Sequence, residues 1–155
     1  VLMEADPGFI PPNPLSMEVF TTYLNIEAPG SLLHELTEVR GWIDSGSFQA
    51  FAVGDKQFLY FTYNLSNSAE ATPQDIELLV TQALSRLRHD GAPERLFNML
   101  KEDVLSEIDQ SSRSSAKFLD VYEPILISGD TFQETLTELR GLTHLDLAHF
   151  ASAFR

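Results

Sequence analysis

The sequence predicts an α+β fold in which an antiparallel sheet is packed on one face by helices. Two stretches predict the sheet, because Trp42–Phe51 and Gln57–Leu65 are rich in Phe, Tyr, Ile, Val and Thr, the residues that favour strands. Between them, Gly54–Lys56 supplies the turn residues of an antiparallel hairpin. The helices are predicted by apolar residues that recur at steps of three and four over much of the remaining chain.

The N-terminal region begins with a short strand and continues into a helix. Val1–Ala5 is predicted to be the strand, and the proline-rich segment Asp6–Pro14 a connector without regular structure. Ser16–Glu27 is predicted to be a helix, because its apolar residues fall on one helical face. Pro29 and Gly30 then interrupt the pattern.

A second, shorter helix is predicted from Ser31 to Val39. Ser31 is a suitable N-cap, and the carboxylate of Glu35 in the first turn suits the positive end of the helix dipole. Gly41 follows where a left-handed residue commonly ends a helix. The helix is expected to be amphipathic, because Leu32, Leu33, Leu36 and Val39 recur at helical spacing.

Alternation in the second strand predicts which of its side chains share a face. Successive side chains of a strand point to opposite faces of the sheet. A polar loop is predicted to follow at Asn64–Ala71. One face of the strand is predicted to carry Phe58, Tyr60 and Thr62, and the other Leu59, Phe61, Tyr63 and Leu65.

The second half of the chain is predicted to be helical. Thr72–Asp75 supplies a capping hydroxyl, a proline at the first helical position and a carboxylate three residues after the cap, and this helix is predicted to end at Gly91. A helix from Pro93 to Ile108 and a polar connector at Gln110–Ser115 follow. Three further helices are predicted at Phe118–Ile127, Phe132–Leu139 and Thr143–Phe154.

The composition indicates that residues 1–155 form a single folded domain. A chain of 155 residues is long enough for one hydrophobic core, and 43% of its residues are hydrophobic. Its 10 basic and 23 acidic residues give a formal net charge of −13, without a basic stripe that could neutralise phosphates. We therefore expect neither nucleic acid nor a membrane as a partner. The acidity suits solubility, and a dedicated cationic ligand is the alternative.

The absence of cysteine excludes disulfides, thiolate zinc sites and a cysteine nucleophile. It suits the cytoplasm and the periplasm equally, so the compartment stays open. No stretch approaches the roughly 20 apolar residues that span a bilayer, which predicts a soluble protein. Because the chain begins at Val1 and stops at Arg155 inside a predicted helix, we expect a fragment or processed piece of a longer chain.

No arrangement of side chains in the sequence is typical of catalysis. His144 and His149 lie roughly 140° apart around a helix, so they do not face one metal ion together. No serine lies in a Gly-x-Ser-x-Gly elbow, and no glycine-rich loop has phosphate-binding spacing. Carboxylate pairs such as Glu102 with Asp103 carry little information in so acidic a chain. We predict no catalytic residue.

The segment Ile26–Trp42 resembles part of a known protein family. Its Pro-Gly-Ser-Leu helix, followed by a Gly-Trp step, is similar to that of the non-catalytic half-domains of pitrilysin and insulinase-type zinc metallopeptidases. The resemblance continues through the predicted strand pair, a polar turn and the long helix with its glycine stop, up to about Ile108. One departure is an extra residue between the Ser-Leu-Leu helix and Gly41. The resemblance implies the α+β fold of such a half-domain.

The resemblance also implies that zinc belongs to another domain. The catalytic domains of this family carry His-x-x-Glu-His on a helix, where the histidines bind zinc and the glutamate takes a proton from water. None of the four histidines begins or ends such a motif. His34–Glu38 is similar to the reversed zinc motif, His-Glu-x-x-His, but has a glutamate in place of its second histidine, so a polar helix face is the better interpretation. We expect no cofactor in this chain, and zinc only in a partner catalytic domain or subunit.

In related enzymes the non-catalytic domain walls a chamber, and a strand beside the Pro-Gly-Ser-Leu helix holds the N-terminal part of the substrate by strand addition. An exposed strand edge offers unpaired N–H and C=O groups to an extended peptide, with little demand on side chains. The alternative is that this strand lies inside the sheet or at a blunted edge. Carried over, the resemblance implies turn positions at Glu27 and Gly30, and a receiving edge at Ile43, Asp44, Ser45, Gly46, Ser47 and Phe48.

The resemblance leaves two functions of different classes. The first is a scaffold and peptide-positioning wall for a catalytic domain elsewhere, with that peptidase domain and an extended peptide as partners. The alternative is a freestanding protein–protein interaction or assembly module with the same fold and no peptidase role. An unrecognised enzyme that uses carboxylates has no specific feature to support it.

Overall fold

The structure is a computed structural model that describes residues 1–11, 15–67, 70–112, 125 and 131–154. Its strands are β1 (Leu2–Glu4), β2 (Ile43–Val53) and β3 (Lys56–Leu65), which form one antiparallel sheet in the order β1-β3-β2. β3 is therefore central, and β2 is an edge strand among the described elements. The predicted hairpin is confirmed, and its turn is made by Gly54 with a φ of 64°.

The described helices cover most of the segments in which helices were predicted. β1 also confirms the predicted N-terminal strand, in a shorter form. Within the described ranges, no helix combines the length and the apolarity needed to cross a membrane. The predicted helix Phe118–Ile127 lies outside the described residues, except for the buried Ile125. The helices are α1 (Ser16–Leu24), α2 (Leu32–His34), α3 (Pro73–Asp90), α4 (Glu94–Ser112), α5 (Phe132–Gly141) and α6 (His144–Ala153).

Two helix ends differ from the prediction by three or four residues. α1 ends at Leu24 rather than Glu27, because Asn25 turns its side chain to the backbone of β2 instead of continuing the helix. α4 runs on to Ser112 through residues that were predicted to be a connector. Polar residues without glycine or proline do not stop a helix, so the polarity of Gln110–Ser112 was a poor stop signal.

The helix predicted from Ser31 to Val39 changes its winding after one turn. Ser31 caps α2 as predicted, by accepting a hydrogen bond from the N–H of His34 at 3.2 Å. Glu35–Val39 then forms a π-helix, in which the N–H of Arg40 donates to the carbonyl of Glu35 at 3.0 Å. A π-helix is an α-helix widened by an inserted residue. The extra residue found in the sequence before Gly41 is therefore accommodated here as a wider turn.

The core lies between one face of the sheet and the helices. Phe48, Leu59 and Phe61 point into it and are at most 1% exposed. This confirms the predicted shared face of Leu59 and Phe61, although Leu65 at the end of β3 is 43% exposed. Fully buried side chains of the helices complete the same hydrophobic cluster, and the largest of them include Phe20, Leu33, Ile76, Leu84, Phe97 and Phe150.

Arg88 joins α3 to the end of α6. Its Nε donates to the carbonyl of Ala151 at 2.8 Å, and its Nη2 donates to the carbonyl of Phe154 at 2.6 Å. Phe154 also forms an isolated antiparallel bridge with Ala5, directly after β1. Because hydrogen bonds from a charged donor are stronger than neutral ones, Arg88 fixes the last helix between α3 and the sheet.

Thr135 on α5 is fully buried, and its hydroxyl has no hydrogen-bond partner among the residues that the structure describes. We expect Thr135→Val to raise the free energy of unfolding by about 1 kcal/mol, because an unsatisfied buried polar group is replaced by an isosteric methyl. Urea unfolding measures the change. The control is Thr137→Val, because the hydroxyl of Thr137 donates to the carbonyl of Gln133 in an exposed position. A clear loss of stability in Thr135→Val alone would contradict the prediction.

Gly46 on β2 leaves no room for a side chain. A Cβ at this position would lie 2.7 Å from the ring of Phe61. We expect Gly46→Ala to lower the free energy of unfolding by about 1–3 kcal/mol, since the close-packed ring must shift. The control is Gly141→Ala in α5, where a Cβ meets nothing within 4 Å. That change should stabilise by about 0.5–1 kcal/mol through helix propensity, and equal effects of the two substitutions would argue against the prediction.

The capping box of α3 predicts a dependence of stability on pH. Hydrogen bonds from the hydroxyl and the N–H of Thr72 lower the pKa of Asp75. A carboxyl with a lower pKa in the folded state stabilises the fold above its unfolded pKa, and this stabilisation is lost as the pH falls. We expect Thr72→Ala to raise the pKa of Asp75 towards its ordinary value and to weaken the pH dependence of unfolding.

Side-chain NMR titration of Asp75 and urea unfolding between about pH 3 and 7 measure both effects. Thr81→Ala is the matched control, because the hydroxyl of Thr81 donates within α3 to the backbone carbonyl of Glu77 rather than to Asp75. An unchanged pKa of Asp75 in Thr72→Ala would show that the hydroxyl is not the cause.

Candidate functional site

The candidate site is the outer edge of β2. Phe48 lies opposite Phe61 in the β2–β3 register. The backbone of Phe61 bonds instead to β1, since its N–H donates to the carbonyl of Val1 at 2.7 Å and its carbonyl accepts from the Val1 amino group at 2.9 Å. Facing residues of an antiparallel pair alternate between bonded and non-bonded pairs. The N–H and C=O of Phe48 therefore point away from β3, to the outer edge.

The side-chain amide of Asn25 pairs with the outward backbone groups of Phe48. Its Nδ2 donates to the carbonyl of Phe48 at 2.9 Å, and its Oδ1 accepts from the N–H of Phe48 at 2.7 Å. A side-chain amide carries the same donor and acceptor as a peptide group, so Asn25 occupies the position that the backbone of an added strand would take. Its place directly after α1 holds it there.

The same register places other backbone groups of β2 at the outer edge. Gly46, Ala50 and Ala52 alternate with the residues that bond to β3, so their N–H and C=O groups also point outwards. Among the described residues, no hydrogen bond from outside the sheet reaches Ala50 or Ala52. At this edge the backbone of Phe48 is therefore already bonded to Asn25. The backbone groups of Ala50 and Ala52, nearer the hairpin turn, remain available among the described residues.

The predicted receiving segment, Ile43–Phe48, lies on this edge strand, but its residues have different surroundings. Ile43 and Phe48 are 2% and 1% exposed and belong to the core. Asp44 and Ser45 are exposed, and the register shifts between Ile43 and Ser45, which marks a bulge. The Ser45 Oγ accepts a hydrogen bond from the Nδ2 of Asn64 at 2.9 Å. Of the remaining two residues, Ser47 points to the open face and Gly46 packs against the core.

The two predicted turn residues lie in the loop between α1 and α2. Glu27 is exposed, and Gly30 adopts a φ of 90° that favours glycine. Gly30 borders a cleft of about 560 Å³ between this loop and α3, which none of the residues of Ile43–Phe48 lines. The structure therefore places Gly30 and the β2 edge at different surfaces.

The cleft beside Gly30 carries charges that are partly paired. Arg40 Nε lies 2.8 Å from Glu35 Oε1, and its guanidinium lies over the ring of Trp42 at 4.6 Å. Burial raises the pKa of the Tyr23 phenol, which lines the same cleft. This arrangement holds the π-helical turn in place and supplies no pair of groups suited to acid–base chemistry.

The described residues contain no group of three or more histidine, cysteine, aspartate or glutamate side chains that could hold a metal ion. The histidines are distributed over the helices: His34 on α2, His89 on α3, and His144 and His149 on α6. The zinc of a metallopeptidase therefore does not fit the side chains that the described part of the chain brings together.

Two features of the edge were not predicted from the sequence. The role of Asn25 follows from a contact between residues 23 positions apart, for which the local sequence gives no signal. The second feature, the open part of the edge, could have been found, because the run from Phe48 to Val53 contains neither a charge nor a proline. Edge strands usually carry one or the other.

Comparison with known proteins identifies the fold. No family model matches the sequence, and no curated protein matches it. The structure is similar to a protease from Helicobacter pylori with a TM-score of 0.80 and 13% identity, over 99% of this chain and 37% of that chain. The chain thus spans little more than a third of that protein.

Two further structures share the architecture. The inactive peptidase domain of a protein described as a zinc protease, from Bordetella parapertussis, matches with a TM-score of 0.75 and 17% identity, over 99% of this chain and 81% of that one. A chain of complex III2 from Candida albicans matches with a TM-score of 0.70 and 14% identity, over 99% and 39%. The resemblance predicted from the Pro-Gly-Ser-Leu segment is confirmed at the level of the fold, and the chain has the α+β fold of a pitrilysin-type zinc protease half-domain.

Proposed function

We propose that this chain is the non-catalytic half-domain of a pitrilysin-like metallopeptidase, a scaffold and peptide-positioning wall for a catalytic domain elsewhere. The observation that carries the proposal is the position of β2 at the edge of the sheet, with backbone groups directed outwards. An edge of this kind binds an extended peptide by strand addition. The proposed receiving segment is Ile43–Phe48, continued along β2.

The partner in this proposal is a catalytic peptidase domain that supplies the zinc. The fold likeness to an inactive peptidase domain from Bordetella parapertussis supports a role without catalysis. The Helicobacter pylori protease is much longer than this chain, which covers 37% of it, so a protein of that architecture has room for a second domain. In such a pair, this chain would position the peptide while the partner cleaves it.

A second function, an assembly module without a peptide chamber, has one observation in its favour. The same fold occurs in a chain of complex III2 from Candida albicans. That assembly shows that the architecture can serve in a large protein complex. For this chain, the difference between the two functions is whether the β2 edge accepts a peptide.

We expect an extended peptide of alternating threonine and valine to shift the backbone NMR signals of β2, from Ile43 towards Val53, because its amides can pair with the open edge. The measurement is a titration of the isotope-labelled chain. The control is the same peptide with its alternate amides N-methylated, which removes the donors that strand addition needs. Mass spectrometry of the peptide after incubation with zinc is expected to show no cleavage.

The outcomes separate the two functions. Shifts confined to β2 support the peptide-positioning wall, whereas no shift at any peptide concentration favours the assembly module. Equal shifts with the N-methylated peptide would argue against strand addition. Cleavage that a chelator abolishes would overturn the assignment as a non-catalytic domain.

A further inference from the structure

The part of β2 next to the hairpin turn lacks the usual protection of an edge strand. Natural edge strands carry charged side chains, prolines or bulges, or are covered by another element, which prevents pairing with other chains. The run Phe48–Val53 reads Phe-Gln-Ala-Phe-Ala-Val, without a charge or a proline. Its only register shift lies further back, between Ile43 and Ser45. An unprotected edge of this kind either aggregates or has a partner.

The backbone groups of this run are oriented so that one more strand can pair with them. Ala50 and Ala52 direct their N–H and C=O groups outwards, and Ala52 is exposed. Asn25 closes the edge one step further back, at Phe48. Among the described residues, the outward N–H and C=O groups of Ala50 and Ala52, between Phe48 and the turn, have no hydrogen-bond partner and can pair with an added strand.

The side chains beside this edge form an apolar surface on the open face of the sheet. Phe51 and Val53 are 39% and 59% exposed, and Leu2 on β1 is 63% exposed. The ring of Phe51 stacks on Phe58 with centroids 5.1 Å apart and meets the edge of Tyr60 at 5.4 Å. These contacts hold the ring of Phe51 against the rings of Phe58 and Tyr60. A shallow depression of about 630 Å³ lies over the same face.

We propose that Ala50–Val53 is a docking edge for an extended, non-acidic segment of another protein, with apolar side chains at every second position. Side chains of an added strand that lie level with Phe51 and Val53 point to the open face, where they cover those exposed side chains. The proposal rests on the proposed function for the binding of peptide. It moves the site from Ile43–Phe48 to the turn-proximal half of β2 and names the class of peptide.

The charge of the chain decides between two occupants of this edge. A second copy could pair with it edge to edge, but each copy has a formal net charge of −13 and the two would repel each other. A basic segment is instead attracted, and a neutral segment is at least not repelled. A helix would cover the apolar face but would leave the outward N–H and C=O groups without partners.

Capped peptides about eight residues long test the proposal, since that length spans a typical strand. One peptide alternates lysine and valine, the second lysine and serine, and the third glutamate and valine. Isotope-labelled wild type, Ala52→Pro and Ala52→Ser are titrated with each peptide by NMR. Ala52→Pro removes an outward N–H, which edge strands tolerate, and Ala52→Ser is the matched control that keeps it. If Ala52→Pro does not fold, Ala50→Pro replaces it as the variant that removes an outward N–H.

We expect the lysine–valine peptide to shift the amides of Ala50 and Ala52, and the other two peptides to bind at least about tenfold more weakly. The proline variant should lose at least about tenfold in affinity for it, and the serine variant less than about twofold. Unchanged affinity in a folded proline variant overturns the proposal, as does equal binding of the lysine–serine peptide.

Shifts confined to Ile43–Phe48 overturn this docking edge while they support the proposed function. Absence of binding by every peptide overturns both. Sedimentation of the chain alone tests the rival occupant. A dimer that Ala52→Pro abolishes would assign the edge to a second copy of this chain instead.

Discussion

The stacked pair of Phe48 and Phe61, whose ring centroids are 4.4 Å apart, is the contact on which the hairpin and the helical layer both depend. Both rings are almost completely buried, and burying a phenylalanine contributes about 1.5–3 kcal/mol. The pair fixes the register of β2 against β3, because a slip of β2 by one residue would move Phe48 to the open face while Phe61 stayed in the core. It also explains why position 46 is glycine, since the ring of Phe61 fills the space where a Cβ would lie.

The same register gives β2 two different kinds of surface. On its inner face Phe48 is buried under the helices, whereas Phe51 and Val53 on the other face remain exposed. Within the described part of the chain, the backbone of β2 pairs with a strand on one side only, and on the outer side Asn25 bonds to the backbone of Phe48. The proposed roles in binding an extended peptide therefore follow from the position of β2 at the edge of the sheet, rather than from any arrangement of reactive side chains.

Local sequence predicted those elements whose start and stop signals are chemically distinct. The capping box of Thr72 and Asp75 begins α3, and the box of Thr143 and Asp146 begins α6, as their spacing predicts. Helix ends without such signals were predicted less accurately. The end of α1 depends on a hydrogen bond from Asn25 to a distant strand, and the π-helical turn at Glu35–Val39 depends on how one extra residue is wound. Neither can be judged within a short window of sequence.

By itself, the sequence determined the α+β class, the hairpin and its inner face, because hydrophobic alternation and turn residues act locally. It also determined the resemblance carried by Pro29–Leu33, which the fold confirms. Only the tertiary structure decided that β2 lies at an edge, that Asn25 closes this edge at Phe48, and that Gly30 borders a separate cleft. Those facts depend on which elements meet in space, and side chains far apart in the chain carry no local signal of their meeting.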